Sequence, residues 1–240
     1  MLLALESGTR SEVLMSLGDS RRSFLALATA GVALTACRGQ DEDVGAVEDL
    51  MREHGVIRRV LVVYRESAVR LRVNPLAVPP DALQSAAKLM QNFGEDYHEK
   101  ALEEAHLFPA VKGAGGAAAA LIDALLAQHQ RGREITGYVL SSTRQAIGVA
   151  QAEPIARALE AFARMYEAHA AQEDTVVFQA WKKSMSKKQL EDMGDLFEDI
   201  EHKTFGKDGF DDASQKIAAI EASLGLTLAG MLAPAPPAVR

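Results

Sequence analysis

The stretch Met165–Phe178, MYEAHAAQEDTVVF, decides how this chain reads. His169 is followed by Glu173 four residues later and by Asp174 five later, in a run expected to be helical. On an α-helix, residues four apart lie about 40° apart around the axis and stack on one face. An imidazole and a carboxylate stacked in this way form a two-toothed clamp for a metal held inside a helix bundle. The same spacing also occurs in surface pairs. Its weight here comes from three other expected helices, each with a histidine in similar company.

Those helices follow from the apolar spacing. Ala46 onward, AVEDLMREHGVIRRVLVVYRESAVRLR, places Leu50, Ile57, Val60, Leu61 and Tyr64 at helical intervals, with His54 beside that stripe. Arg58 and Arg59 should face the surface or pair with acids. Pro75, Pro79 and Pro80 end this helix, and Asp81 is placed to cap the next. The second helix runs from Ala82 to about Val111 and carries His98. Gly113 to Gly116 form a flexible link, and a third helix from about Ala117 carries His129. The fourth runs past His169 to about Lys183, with Pro154 expected in its first turn. Ser186 can cap a fifth segment, SKKQLEDMGDLFEDIEHKTF, and an amphipathic stretch from Phe210 to Leu224 follows.

No sustained strand alternation and no Gly-rich phosphate loop are present in the sequence, and aromatics make up only 5% of it. The chain therefore reads as all-α, a four-helix bundle with up-down-up-down order and a C-terminal helical extension. The expected divisions are a signal segment over 1–36, a tether over 37–45, the bundle over 46–183, the extension over 184–228 and a Pro-rich tail over 229–240.

Charge narrows the partners. The formal net charge is −7, and in the first 36 residues Arg10, Arg21 and Arg22 balance Glu6, Glu12 and Asp19, so the body keeps the whole deficit. Such a body is poorly suited to nucleic acid. The single cysteine, Cys37, excludes an internal disulfide framework and any Cys-rich metal site.

Around that cysteine the sequence reads as an address. Arg21-Arg22-Ser23-Phe24-Leu25 followed by a short uncharged apolar run resembles a twin-arginine export signal. Leu34-Thr35-Ala36-Cys37 resembles a lipoprotein processing box, which implies cleavage before Cys37 and lipid attachment to its thiol. The expected location is the cell envelope, with the domain held outside a membrane by that anchor. Residues 1–19 exceed what such a signal needs, and Met15 is an alternative start.

Taken singly, each histidine reads more simply as a packed or surface residue. Taken together, His54, His98, His129 and His169 fall one to each long helix, with carboxylates beside two of them. Imidazoles with bridging carboxylates suit iron or manganese.

REHGVIRRVL around His54, YHEKALEEAHLFPAV after it, LLAQHQRGREI around His129 and HAAQEDTVVF from His169 resemble the hemerythrin-like, or HHE cation-binding, family over roughly residues 45 to 183. The resemblance implies a di-iron centre, manganese being possible, with His54, His98, His129, His169 and Glu173 as ligands. Oxygen, nitric oxide or peroxide would be its small-molecule partners. It also implies a bridging carboxylate from the second helix, normally four residues after its histidine. Here that position is Leu102, and Glu103 lies about 140° from His98 on a regular α-helix. A π-bulge between them would absorb the extra residue and return Glu103 to the site. Glu99 is the alternative, with Glu104 and His106 also near. On the fourth helix Glu173 stacks better than Asp174. Where oxygen-carrying members place a second histidine on the third helix, this chain has Arg133, which argues against simple oxygen carriage. A di-iron oxidase or peroxidase is the competing reading, and a metal-free interaction module a third. His202 reads as a capping or packing residue of the extension. Trp181 reads as packing at the bundle end, and Tyr97, Tyr138 and Tyr166 as packing or supporting groups.

Overall fold

A computed structural model describes residues 44–237. The arginine pair, the apolar run and Cys37 lie outside the described residues. Helix α1 spans Ala46–Val73 and ends in a short 3-10 turn, Pro75–Ala77. The second rod has three parts: α2 (Pro80–Leu89), a π-helical stretch π1 (Met90–Leu107), and α3 (Phe108–Ala114). After a short turn, α4 (Gly116–Ala119), comes α5 (Ile122–Ser142). The fourth rod is α6 (Val149–Gln172), π2 (Glu173–Val177) and α7 (Phe178–Ser184). Two further helices, α8 (Lys187–Phe205) and α9 (Gly209–Ser223), form the extension.

The four rods enclose one apolar core, α1 against α6, α6 against α5, and α5 and α1 against the second rod. This is the expected all-α bundle. Burial of Leu50, Ile57, Val60, Leu61 and Tyr64 accounts for the apolar stripe of α1. Trp181, fully buried, stacks on Phe197 with ring centroids 5.9 Å apart and so joins the bundle to α8. Helix α9 lies against α1 and α2, where Arg59 donates to Glu221 at 2.6 Å. Among the described residues no helix is long and apolar enough to cross a membrane.

Local chemistry corrects three details. Asp81 does not cap the second rod: Pro79 holds the cap position and Pro80 opens the helix, where a missing N–H costs nothing. Pro154 lies inside α6, because the helix begins at Val149 under a Gly148 cap braced by Gln151. The third rod starts at Ile122, since Gly115 and Gly116 take positive φ and the next residues form only a short turn. Ser186 does cap α8, with Gln189 completing a reciprocal box.

The π-geometry expected between His98 and Glu103 is present and far longer than a single bulge, running over 18 residues. Its end is marked by Phe108 N–H donating to Glu103 C=O, five residues back instead of four. The fourth rod repeats the device, with Phe178 N–H reaching Glu173 C=O. Nothing in the sequence reading pointed to that second widening.

Candidate metal centre

Four imidazoles and two carboxylates meet at the middle of the bundle, and all six side chains are buried. His54 comes from α1, His98 and Glu103 from π1, His129 from α5, His169 from α6 and Glu173 from the start of π2. The Nε2 atoms of His129 and His169 stand 3.0 Å apart. Glu173 Oε2 is 3.0 Å from His169 Nε2 and 3.4 Å from His54 Nε2. Glu103 reaches both halves: Oε1 is 3.4 Å from His98 Nε2, and Oε2 is 3.4 Å from His129 Nε2. The groups fall into two overlapping sets able to hold a cation, His54–His98–Glu103 and Glu103–His129–His169–Glu173.

The wider turn of π1 explains how Glu103 arrives there. With one extra residue in the turn, the carboxylate five positions after His98 stacks where the fourth would otherwise stand. Glu173 needs no such help, since α6 is regular from His169 to Gln172.

Every imidazole is steadied from behind. His54 Nδ1–H donates to Asp174 Oδ1 at 2.7 Å, and His98 Nδ1–H to Glu53 Oε2 at 2.5 Å. His129 Nδ1–H donates to Glu104 Oε1 and His169 Nδ1–H to Gln128 Oε1, each at 2.9 Å. With Nδ1 committed to these partners, each ring presents Nε2 to the centre, and in its neutral form would offer that lone pair to a cation. Aromatic rings complete the walls: Phe178 stacks on His54 and Phe108 on His129.

The sequence does not single out Glu53, Gln128, Glu104 or Asp174 for this supporting role; Glu104 and Asp174 read there as alternative ligands. Each is the chain neighbour of an inward residue and meets a histidine on a different rod. The signal was a polar residue beside each inward one, but its partner is set by helix packing. Asp174 and Glu104 are in turn paired to Arg58 and Arg133. Glu99 stands behind the centre, accepting from Tyr166 and from Arg133. With Glu104 and His129 it makes a third set able to hold a cation, but the Arg133 guanidinium already sits there. Arg133 thus lies outside the ring of Nε2 atoms. His106 faces Phe197, and His202, exposed in the last turn of α8, bonds the Glu198 carbonyl of its own helix.

Electrostatics without a metal are those of interlocked ion pairs. Burial disfavours the imidazolium form, yet Glu103 and Glu53 outweigh it and hold His98 well above the usual histidine range. His129 is likewise buried and is pushed up to about 10 by Glu103, Glu104 and Glu99. Burial alone would raise Glu103, but His98 and His129 bring it below the ordinary carboxylate range.

A cation fits these residues on a separate observation. His98 Nε2 and all four carboxylate oxygens of Glu103 and Glu173 are buried without a hydrogen-bond partner. Unpaired buried acceptors of this kind are costly in a protein interior. Their convergence on one point, beside imidazole lone pairs, makes a donor set for a borderline divalent metal.

The hemerythrin HHE cation-binding domain matches residues 45–181, and the chain belongs to that family. It is also similar to uncharacterized proteins of Mycobacterium tuberculosis, strains CDC 1551 and H37Rv, and of Mycobacterium bovis. Each is 40% identical over 226 residues, a likeness that takes in 86% of this chain and 88% of the relative and is longer than the domain match. No solved structure matches.

Proposed function

We propose that the chain is a non-haem di-iron protein. His54 and His98 would hold one ion, His129 and His169 the other, with Glu103 and Glu173 shared between them. The observation that carries this is a pair of buried carboxylates, Glu103 and Glu173, whose oxygens, among the described residues, have no neighbours to pair with except the Nε2 atoms of the four histidines, at 3.0–3.4 Å. Iron in such a site supplies a redox-active Lewis acid able to take oxygen, nitric oxide or peroxide. The chain's own part is to fix the ligand geometry: Glu53, Gln128, Glu104 and Asp174 lock each imidazole in one tautomer, and Phe108 and Phe178 keep bulk water from two of the rings. Two imidazoles per ion, with Arg133 turned aside to Glu99 and Glu104, fit a ligand set short of the full complement.

The sequence around Arg21-Arg22 and Cys37 supports export with lipid attachment, placing this centre at the cell envelope. Its support is the sequence pattern alone.

Exposure of the iron-loaded protein to oxygen, nitric oxide or peroxide, with and without an electron donor, tests the role. A spectral change that saturates at one ligand per iron pair supports binding. Continued consumption of peroxide or oxygen makes the protein an enzyme instead. No spectral response to any of the three overturns the small-molecule role.

A further inference from the structure

Helices α2 and α9 lie side by side and leave a groove of about 440 Å³ between them. Leu89, Phe93, Ala213 and Ile220, all buried, form its apolar floor. At one end Phe93 lies against Phe205, with ring centroids 6.2 Å apart, so the aromatic end sits where α8 passes into α9. Gly209 makes that end possible, because a Cβ there would stand 2.3 Å from the Phe205 ring. Ala219 and Ile220, farther along α9, line the other end.

The aromatic end is continuous with the metal centre. The ring of Tyr97, fully buried, stands 5.7 Å from Phe93 and 5.1 Å from Phe205, centroid to centroid. Tyr97 is in turn the chain neighbour of His98, whose Nε2 faces the centre. The rim of the groove carries Lys88, Lys216 and Asp212. Asp212 is held by Lys216 at 2.6 Å and by Lys207 as well, which leaves Lys88 without an acid among the described residues. In a chain of net charge −7 this is a local positive edge above an apolar floor. Such a slot suits a flat ring with polar oxygens: the ring packs against Phe93 and Phe205, and an oxygen accepts from the Lys88 ammonium.

We propose that this groove binds a flat quinonoid ring and that its electrons reach the metal centre through the contact of Phe93 and Phe205 with Tyr97. A hydroquinone bound there gives up two electrons and its two hydroxyl protons. Each of two ferric ions takes one electron and becomes ferrous, the protons pass to water at the open face of the groove, and the ring leaves as the quinone. Phe93, Phe205 and Tyr97 change no oxidation state; they are a packed bridge between the donor and the residue that carries His98. The donor thus stays outside the bundle while the six central side chains remain buried. The extension gains a part in the chemistry, since α8 supplies Phe205 and α9 one wall of the groove.

The electron step rests on the di-iron reading and the binding step does not, so the experiment takes them apart. Menadione is titrated calorimetrically into the full metal-free chain. Menadiol is then mixed, without oxygen, with the iron-loaded chain, and the loss of visible absorption is followed. Ala219→Trp, at an exposed position on the groove and no part of the metal centre, fills the slot. The expected result is one menadione per metal-free chain, with affinity weakened about tenfold by Ala219→Trp. Bleaching by menadiol should slow in the same variant, while bleaching by dithionite should not. No binding to the metal-free chain overturns the site, and so does binding that Ala219→Trp leaves intact. Palmitate held more tightly than menadione makes the groove an acyl-chain site and overturns the ligand class. Binding without bleaching overturns the electron route. A chain that takes up no iron fails the di-iron reading and the electron route together, and metal analysis reveals this before any menadiol is added.

Discussion

Glu53 Oε2 stands 2.5 Å from His98 Nδ1, although the two residues are 45 positions apart and lie on different rods. The same arrangement recurs at each corner of the site, a residue beside one inward group bracing the imidazole of a neighbouring helix. The bundle is therefore latched by its own metal-facing chemistry. Supporting bonds of this kind orient the ring and raise its basicity as a ligand.

Replacing Glu53 by Ala frees the His98 ring and should weaken metal binding about 10- to 100-fold without removing a ligand. Competition with a chromophoric chelator measures this, and Glu53→Gln, which keeps an acceptor, should recover part of the loss. Equal affinity in both variants would show that the contact does not orient the ring.

The two acids on the second rod separate cleanly. Glu103→Ala should lose most bound metal, because one side chain serves both halves of the centre. Glu99→Gln should retain it, since Glu99 faces Tyr166 and Arg133. Metal content of the two purified variants checks the assignment, and the reverse result would move the ligand role to Glu99.

These acids mark how far the sequence could be read. Four histidines on four apolar-striped rods made the bundle and its centre legible, because helical period and burial are local properties. The spacing from His98 to Glu103 even indicated a widened turn. The length of π1 was hidden, since a π-turn is chosen by the whole register of the rod against its neighbours. The partners Glu53 and Gln128 were hidden for another reason. Each sits beside a histidine in the chain yet braces a ring on a different rod, and only the crossing of the helices decides which.

Gly132 illustrates packing that composition cannot show. A Cβ there would lie 2.8 Å from the Tyr166 hydroxyl oxygen and 2.9 Å from its ring. Alanine favours a helix by about 1 kcal/mol over glycine, but crowding a packed interior costs about 1–3 kcal/mol. Gly132→Ala should therefore lower the urea midpoint and displace Tyr166 from Glu99. A raised midpoint would mean that the ring yields freely.

Acidity acts in opposite senses on the metal-free and metal-bound chains. His129, raised from 6.5 to about 10, contributes stability that is whole below about 6.5 and is lost as pH climbs towards 10. Glu103 and Glu173, both lowered, contribute stability that is whole above 4.5 and is lost as pH falls through their depressed values. The metal-free protein should thus be firmest between 4.5 and 6.5. Metal binding needs neutral imidazole, so its added stability should be large near pH 8 and should vanish towards about pH 5. Melting curves with and without chelator across this range test the crossing, and a metal contribution that grows on acidification would contradict it.

The central claim is that His54, His98, Glu103, His129, His169 and Glu173 enclose a pair of cations. Metal analysis of the protein purified from an iron-replete host, followed by chelation, tests it most directly. The account predicts about two irons per chain, with both the visible absorption and several degrees of melting temperature lost on chelation. A chain that carries no metal and melts at the same temperature with or without chelator would contradict it.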